Sequence, residues 1–126
     1  MRKEGQVARD VRKITAWQRA HALTLRMYRA TSGFPHDERF GLVSQMRRAC
    51  TSIPTNVAEG CGRSTNNELA RFIDIATGSA SEIEYQLLLA KDLGYLPEDQ
   101  HIDLSAEVTE IRRMLLAFNK TLRTSS

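Results

Sequence analysis

Apolar residues recur along this chain every three or four positions, in four stretches separated by glycine and proline. Nowhere do they settle into the two-residue alternation of a strand. The first stretch, 10–31, carries Ile14, Trp17, His21, Leu25 and Tyr28 as one helical stripe. Ser32-Gly33-Phe34-Pro35 closes it, because Gly33 suits a left-handed cap and Pro35 cannot continue a helix. The second stretch, 37–59, carries Leu42, Met46, Ala49, Ile53 and Val57, and Gly60-Cys61-Gly62 ends it. Pro54 lies inside this pattern, where it lacks a backbone donor and crowds the carbonyl four residues back. A kink is therefore expected there, with a break into two shorter helices as the alternative.

The third stretch, 65–92, opens on Thr65-Asn66-Asn67-Glu68, a capping box in which hydroxyl and carboxylate satisfy free amides reciprocally. Its stripe is Leu69, Phe72, Ile73, Ala76, Ala80, Ile83, Leu87 and Ala90, and Gly94 stops it. Pro97 fits the first turn of a fourth helix, 98–122, in which Glu98 and Asp99 favour the positive end of the dipole. Leu104, Val108, Ile111, Leu115, Phe118 and Leu122 then alternate four and three apart, a heptad pattern. Helices of this length joined by short turns pack antiparallel. The expected fold is all-α, one up-down-up-down four-helix bundle spanning 1–126, with disorder at residues 1–8 and in the Thr124-Ser125-Ser126 tail.

Composition narrows the class without changing it. With 126 residues there is length for one core, and an aromatic share of 6% favours aliphatic helix packing over an aromatic-rich sandwich. No apolar run approaches the ~20 residues that span a bilayer. The basic N-terminus leads into no secretion-type segment, so the expected location is the cytoplasm. Cys50 and Cys61, on one straight helix, would stand ~16 Å apart. That is too far for a disulfide, so reduced and inert thiols are expected.

Charge is where the sequence becomes informative about partners. Residues 1–63 carry twelve Lys/Arg against five Asp/Glu, and residues 64–126 carry six against ten. Such asymmetry suits either a polyanion or two halves that attract one another. Arg12, Arg19 and Arg26 recur at seven-residue spacing and Arg29 extends them, making a basic ridge suited to bidentate phosphate contact.

A second ridge is polar. Gln45, Arg48, Ser52, Asn56, Glu59 and Arg63 recur every three or four residues, and Glu68, Arg71, Ser79, Glu82 and Gln86 form a partner ridge on the next helix, interrupted by Ile75. Serine and asparagine are weak choices for an exposed helix face. Gly78 in mid-helix costs about 1 kcal/mol relative to alanine. Either this face is simply solvated, or Gln45, Arg48, Ser52, Asn56, Glu59, Arg63, Ser79 and Glu82 form a buried or subunit-facing hydrogen-bonded network, with small residues admitting another helix.

The signals of an enzyme are missing. His21, His36 and His101 share no spacing, no Glu-x-x-His or paired-cysteine zinc pattern occurs, and the phosphate-loop and dinucleotide glycine fingerprints are absent. His21 reads as a hydrogen-bonded core residue. Glu59 and Glu82 are the carboxylates to consider for acid–base work, and ion pairs to Arg48 or Arg63 explain them more simply. No metal or cofactor is expected.

The strings FGLVSQMRRACTSIPTNVAEGCGR and ELARFIDIATGSASEIEYQLLLAKDLGYL, with AWQRAHAL upstream, resemble the bacterial 23S rRNA intervening-sequence proteins. The resemblance covers 14–96 and maps that family's motif onto Gly41, Gln45, Arg47, Arg48, Ser52, Pro54, Asn56, Glu59, Gly60, Gly62, Arg63, Gly78, Ser79 and Glu82. It implies an up-down bundle assembling into a ring, typically a homopentamer, with no established enzymatic activity. A relative similar in fold, the accessory protein of diversity-generating retroelements, associates with a reverse transcriptase and RNA. The expected function is thus a non-enzymatic oligomeric scaffold that binds RNA through the Arg12–Arg19–Arg26–Arg29 ridge by backbone contacts without sequence preference. With no aromatic platform evident for stacking bases, base readout is not expected. The alternative is an adaptor whose charge asymmetry serves assembly and docking of a partner protein.

Overall fold

The computed structural model describes residues 9–124, so the two termini expected to be disordered lie largely outside the described residues. Four helices follow in order: α1 (Thr15–Thr31), α2 (Leu42–Cys61), α3 (Asn66–Asp92) and α4 (Glu98–Thr124). Each packs against the next and α1 also packs against α4, closing an antiparallel up-down-up-down bundle with no strand among the described residues.

The helix starts follow local chemistry. Asp10 accepts from the Arg12 amide at 3.1 Å and caps a single 3-10 turn, Val11–Lys13, so α1 begins later than its apolar pattern suggested. The second helix is likewise delayed. A 3-10 turn at His36–Glu38 follows Pro35, and the backbone at Gly41 (φ −105°, ψ −111°) is non-helical, so α2 starts at Leu42 rather than at position 37. That delay leaves Phe40 outside the helix. Thr65 caps α3, its hydroxyl accepting from the Glu68 amide at 3.1 Å. The Glu68 carboxylate accepts from Ser64 Oγ at 3.4 Å instead of closing the box. Gly94, at φ +81°, ends the element, with Tyr95 N donating to Ala90 O at 2.9 Å.

Pro54 does not divide α2, which runs unbroken to Cys61. The carbonyl it deprives of a donor belongs to Cys50, and the Thr24 hydroxyl of α1 lies 3.5 Å away. Gly60 sets the closest approach of α2 to α3. A Cβ there would stand 2.6 Å from Leu69 Cδ1 and 2.9 Å from Phe72 Cβ.

The core stripes of α2 and α3 are those expected, save that Phe72 is half-buried. On α1 the phase is different. Ala16, Ala20, Leu23, Met27 and Thr31 are buried, while Leu25, Tyr28 and His21 are exposed and Ile14 and Trp17 half-buried. The buried face lies one residue, ~100°, from the expected one. That face holds Leu23 and Met27 beside the small Ala16 and Ala20, while Leu25 and Tyr28 are turned to the flank. His21 is therefore no core residue. Its ring stacks on Trp17 with centroids 5.3 Å apart.

On α4 the heptad holds except near its end, where Asn119 is buried and Phe118 half-buried. Asn119 Nδ2 donates to Ala70 O at 3.1 Å and Asp74 Oδ1 at 2.6 Å, a polar tie between α3 and α4. Both cysteines are free and buried, and burial pushes the Cys50 thiol up to about 11. No helix among the described residues is long and apolar enough to cross a membrane.

Candidate nucleic-acid interface

The basic ridge of α1 is in place, but the structure sets its central members against α4. Arg19 makes a bidentate pair with Glu107, Nε to Oε2 at 2.9 Å and Nη2 to Oε1 at 2.6 Å, and lies 3.9 Å from Glu110. One turn pair further on, Arg26 Nη2 meets Asp103 Oδ2 at 2.5 Å. Arg12 turns back to Asp10 at 3.4 Å, and Arg29 is exposed without an ion pair among the described residues. Bonding to Arg19 holds the Glu107 carboxyl below its ordinary value and the Arg19 guanidinium above its own. The lopsided halves of the sequence thus attract each other within one chain. A phosphate approaching Arg19 or Arg26 would have to displace a carboxylate already seated there.

The polar ridge divides in two. Ser52 Oγ and Ser79 Oγ are 2.8 Å apart, and Asn56 Nδ2 donates to Ser52 O at 2.8 Å and to its Oγ at 2.9 Å. These three half-buried residues link α2 to α3 inside the chain. Gln45, Arg48, Glu59, Arg63 and Glu82 point outward and are exposed. Glu59 pairs with Arg63 at 3.5 Å, and Glu82 accepts from Gln86 Nε2 at 3.1 Å. The other end of Gln86 is buried, with Oε1 lacking a hydrogen-bond partner among the described residues. Beside this ridge, a Cβ at Gly78 would meet nothing within 4 Å.

A third feature was not anticipated. Between the end of α1 and the start of α2 lies a groove of about 470 Å³, bounded by Tyr28, Arg39, Phe40, Ser44, Arg47 and Arg48, with no acidic residue in its lining. Arg39 stands 4.5 Å from the Phe40 ring centroid and Arg47 stands 4.5 Å from that of Tyr28. Arg47 is held by neutral groups, Nε donating to Thr31 Oγ1 at 2.9 Å and Nη2 to Tyr28 O at 3.1 Å. Arg39, Arg47 and Arg48 have no ion pair among the described residues. Phe40 is 83% exposed. No aromatic platform was evident in the sequence, yet two exposed rings, Phe40 and Tyr28, border this groove. The usable signal was the pair of motifs Arg39-Phe40 and Arg47-Arg48, eight residues apart. Their meeting with Tyr28 depends on the delayed start of α2. No group of three His, Cys, Asp or Glu side chains among the described residues is arranged to hold a metal ion.

Comparison with known proteins agrees with this architecture. No curated protein matches the sequence significantly. A crystal structure of a protein of unknown function from the S23 ribosomal protein family of Bacteroides thetaiotaomicron superposes with a TM-score of 0.77 at 23% identity, covering 83% of this chain and 95% of that one. At that identity the likeness speaks for the fold alone. The family model of the 23S rRNA-intervening sequence proteins matches residues 12–117, and the chain belongs to that family.

Proposed function

We propose that the chain is a non-enzymatic scaffold that binds RNA through its phosphate backbone, without reading sequence, and works in the cytoplasm as a ring of its own copies. The observation that carries this reading is the sorting of the arginines. Those of the α1 ridge are largely neutralised by Asp103, Glu107 and Glu110, whereas Arg39, Arg47 and Arg48 share one acid-free groove. Uncompensated cations in one place raise the local potential for a polyanion, and guanidinium groups match phosphate geometry. The contact surface thus moves from the ridge, where the sequence put it, to the α1–α2 edge.

Assembly is supported by the outer face of the α2–α3 pair. Gly78 sacrifices helix stability with no neighbour in its own chain to need the space. That makes sense beside another copy, and the family resemblance implies five. Repetition around a ring multiplies weak contacts.

A salt titration tests the reading. Three phosphate contacts per copy on a single strand predict a slope of log affinity against log salt of about −2 per copy engaged. Flat or absent binding favours the adaptor reading instead. That second reading has its own support in Trp17, His21, Leu25 and Tyr28, which line an outward flank of α1 and would suit a protein partner.

A further inference from the structure

We propose that the α1–α2 groove is specific for single-stranded RNA, with bases stacking on Phe40 and Tyr28 while Arg39, Arg47 and Arg48 hold the flanking phosphates. This rests on the RNA-binding reading and adds a strand preference that phosphate contact alone would not produce.

The argument begins with Phe40. A phenyl ring left 83% exposed is a poor use of apolar surface, and nothing in the bundle needs it there. Arg39 covers one side of the ring at 4.5 Å, and the extent of exposure leaves the other side open. Tyr28 repeats the arrangement across the groove, with Arg47 at 4.5 Å and the residue 44% exposed. Two arginine-backed rings facing one acid-free groove present π faces and positive charge together. A nucleotide offers the matching pair, a flat base and a phosphate.

Arg47 adds rigidity. Its two bonds to Thr31 Oγ1 and Tyr28 O fix the guanidinium in place, so ordering it costs little on binding. Neither bond neutralises its charge, so an anion meets a positioned cation with no carboxylate to displace.

Strand preference follows from access to the base. In a duplex the base faces are stacked on one another, and ring-to-base contact requires bases that are splayed out. The groove volume of about 470 Å³ is on the scale of a small-molecule site and has room for an unstacked nucleotide.

The test uses the full chain and fluorescence anisotropy with a labelled, unstructured RNA of roughly 12 nucleotides, the same sequence as a duplex, and inorganic polyphosphate as a pure polyanion. The wild type is expected to bind the single strand more tightly than the duplex. Phe40→Ala should weaken single-strand binding about tenfold and leave duplex and polyphosphate binding unchanged, and Phe40→Trp should restore it. Arg39→Ala with Arg48→Ala should weaken all three. Thermal melting and light scattering accompany each variant. If single strand and duplex bind equally and Phe40→Ala changes neither, stacking is overturned while RNA binding stands. If the wild type binds no RNA, both readings fall. If Phe40→Ala changes the mass of the assembly, the groove is a contact between copies and the proposal is overturned.

Discussion

Arg19 of α1 grips Glu107 of α4 with two parallel hydrogen bonds, at 2.9 and 2.6 Å, so that the most basic and most acidic segments of the chain neutralise each other. The pair is 39% and 22% exposed at its side chains, which keeps its worth small. Reversing one charge turns attraction into repulsion. Arg19→Glu is expected to destabilise the bundle by on the order of 1 kcal/mol and to leave RNA affinity unchanged. Adding Glu107→Arg should recover most of the loss. Urea melts of the two single variants and the swap, with RNA binding measured on each, check both halves.

The same pair makes a pH prediction. Glu107 has a folded carboxyl lowered from 4.5, chiefly by its hydrogen bond to Arg19, so the unfolded chain binds the proton more readily. Its stabilisation is fully present above the unfolded value and is lost as pH falls through the folded one. Stability should be insensitive to this group near neutrality and decline in the acid range. Glu107→Gln should flatten that decline, and denaturant melts of both proteins between about pH 3 and 6 read the difference.

How far the sequence foretold this molecule varies by element. On α2 and α3 the buried positions are large aliphatics at clean helical spacing, and Met46, Ile53, Ile73, Ile83 and Leu87 fall where the periodicity puts them. On α1 two stripes compete. Trp17, Leu25 and Tyr28 advertise a core face by size, yet the buried stripe one residue earlier also holds large side chains, Leu23 and Met27, beside Ala16 and Ala20. Periodicity has no means of choosing between two stripes that both carry large apolar residues. The arginine ridge was legible as a ridge, but its neutralisation was not. Arg19 and Glu107 are 88 residues apart, and only the closing of α1 on α4 brings them together. The groove was hidden for a similar reason, since Tyr28 and Phe40 border it from the two sides of a turn whose backbone delays α2.

The thiols give a probe of opening. Burial raises both, Cys50 to about 11, so neither is a thiolate near neutrality. Thiol reagent at about pH 8 should label the native protein far more slowly than the urea-unfolded chain. Labelling that is equally fast in both would mean that α2 opens locally around Cys50 and that its place against Thr24 is not kept in solution.

Two glycines separate what the chain needs for itself from what it keeps for a neighbour. Gly60 lies where α2 and α3 nearly touch, and an added Cβ would fall 2.6 Å from Leu69 Cδ1, 2.9 Å from Phe72 Cβ and 3.3 Å from Leu69 O. The leucine tip can swing away, but the phenylalanine Cβ and the carbonyl are fixed to the helix. Gly60→Ala should therefore destabilise the bundle by about 1–3 kcal/mol through forced separation of the helices. Gly78 is the opposite case, with nothing within 4 Å of its Cβ position in the middle of a 27-residue helix. Within one chain, Gly78→Ala should stabilise the helix by about 1 kcal/mol. At a contact with another copy the same methyl would obstruct close approach. A dilute protein that melts higher while its mass by light scattering falls is the expected result. A higher melting temperature with unchanged mass would instead place Gly78 on a solvated surface and remove the α2–α3 face from the assembly.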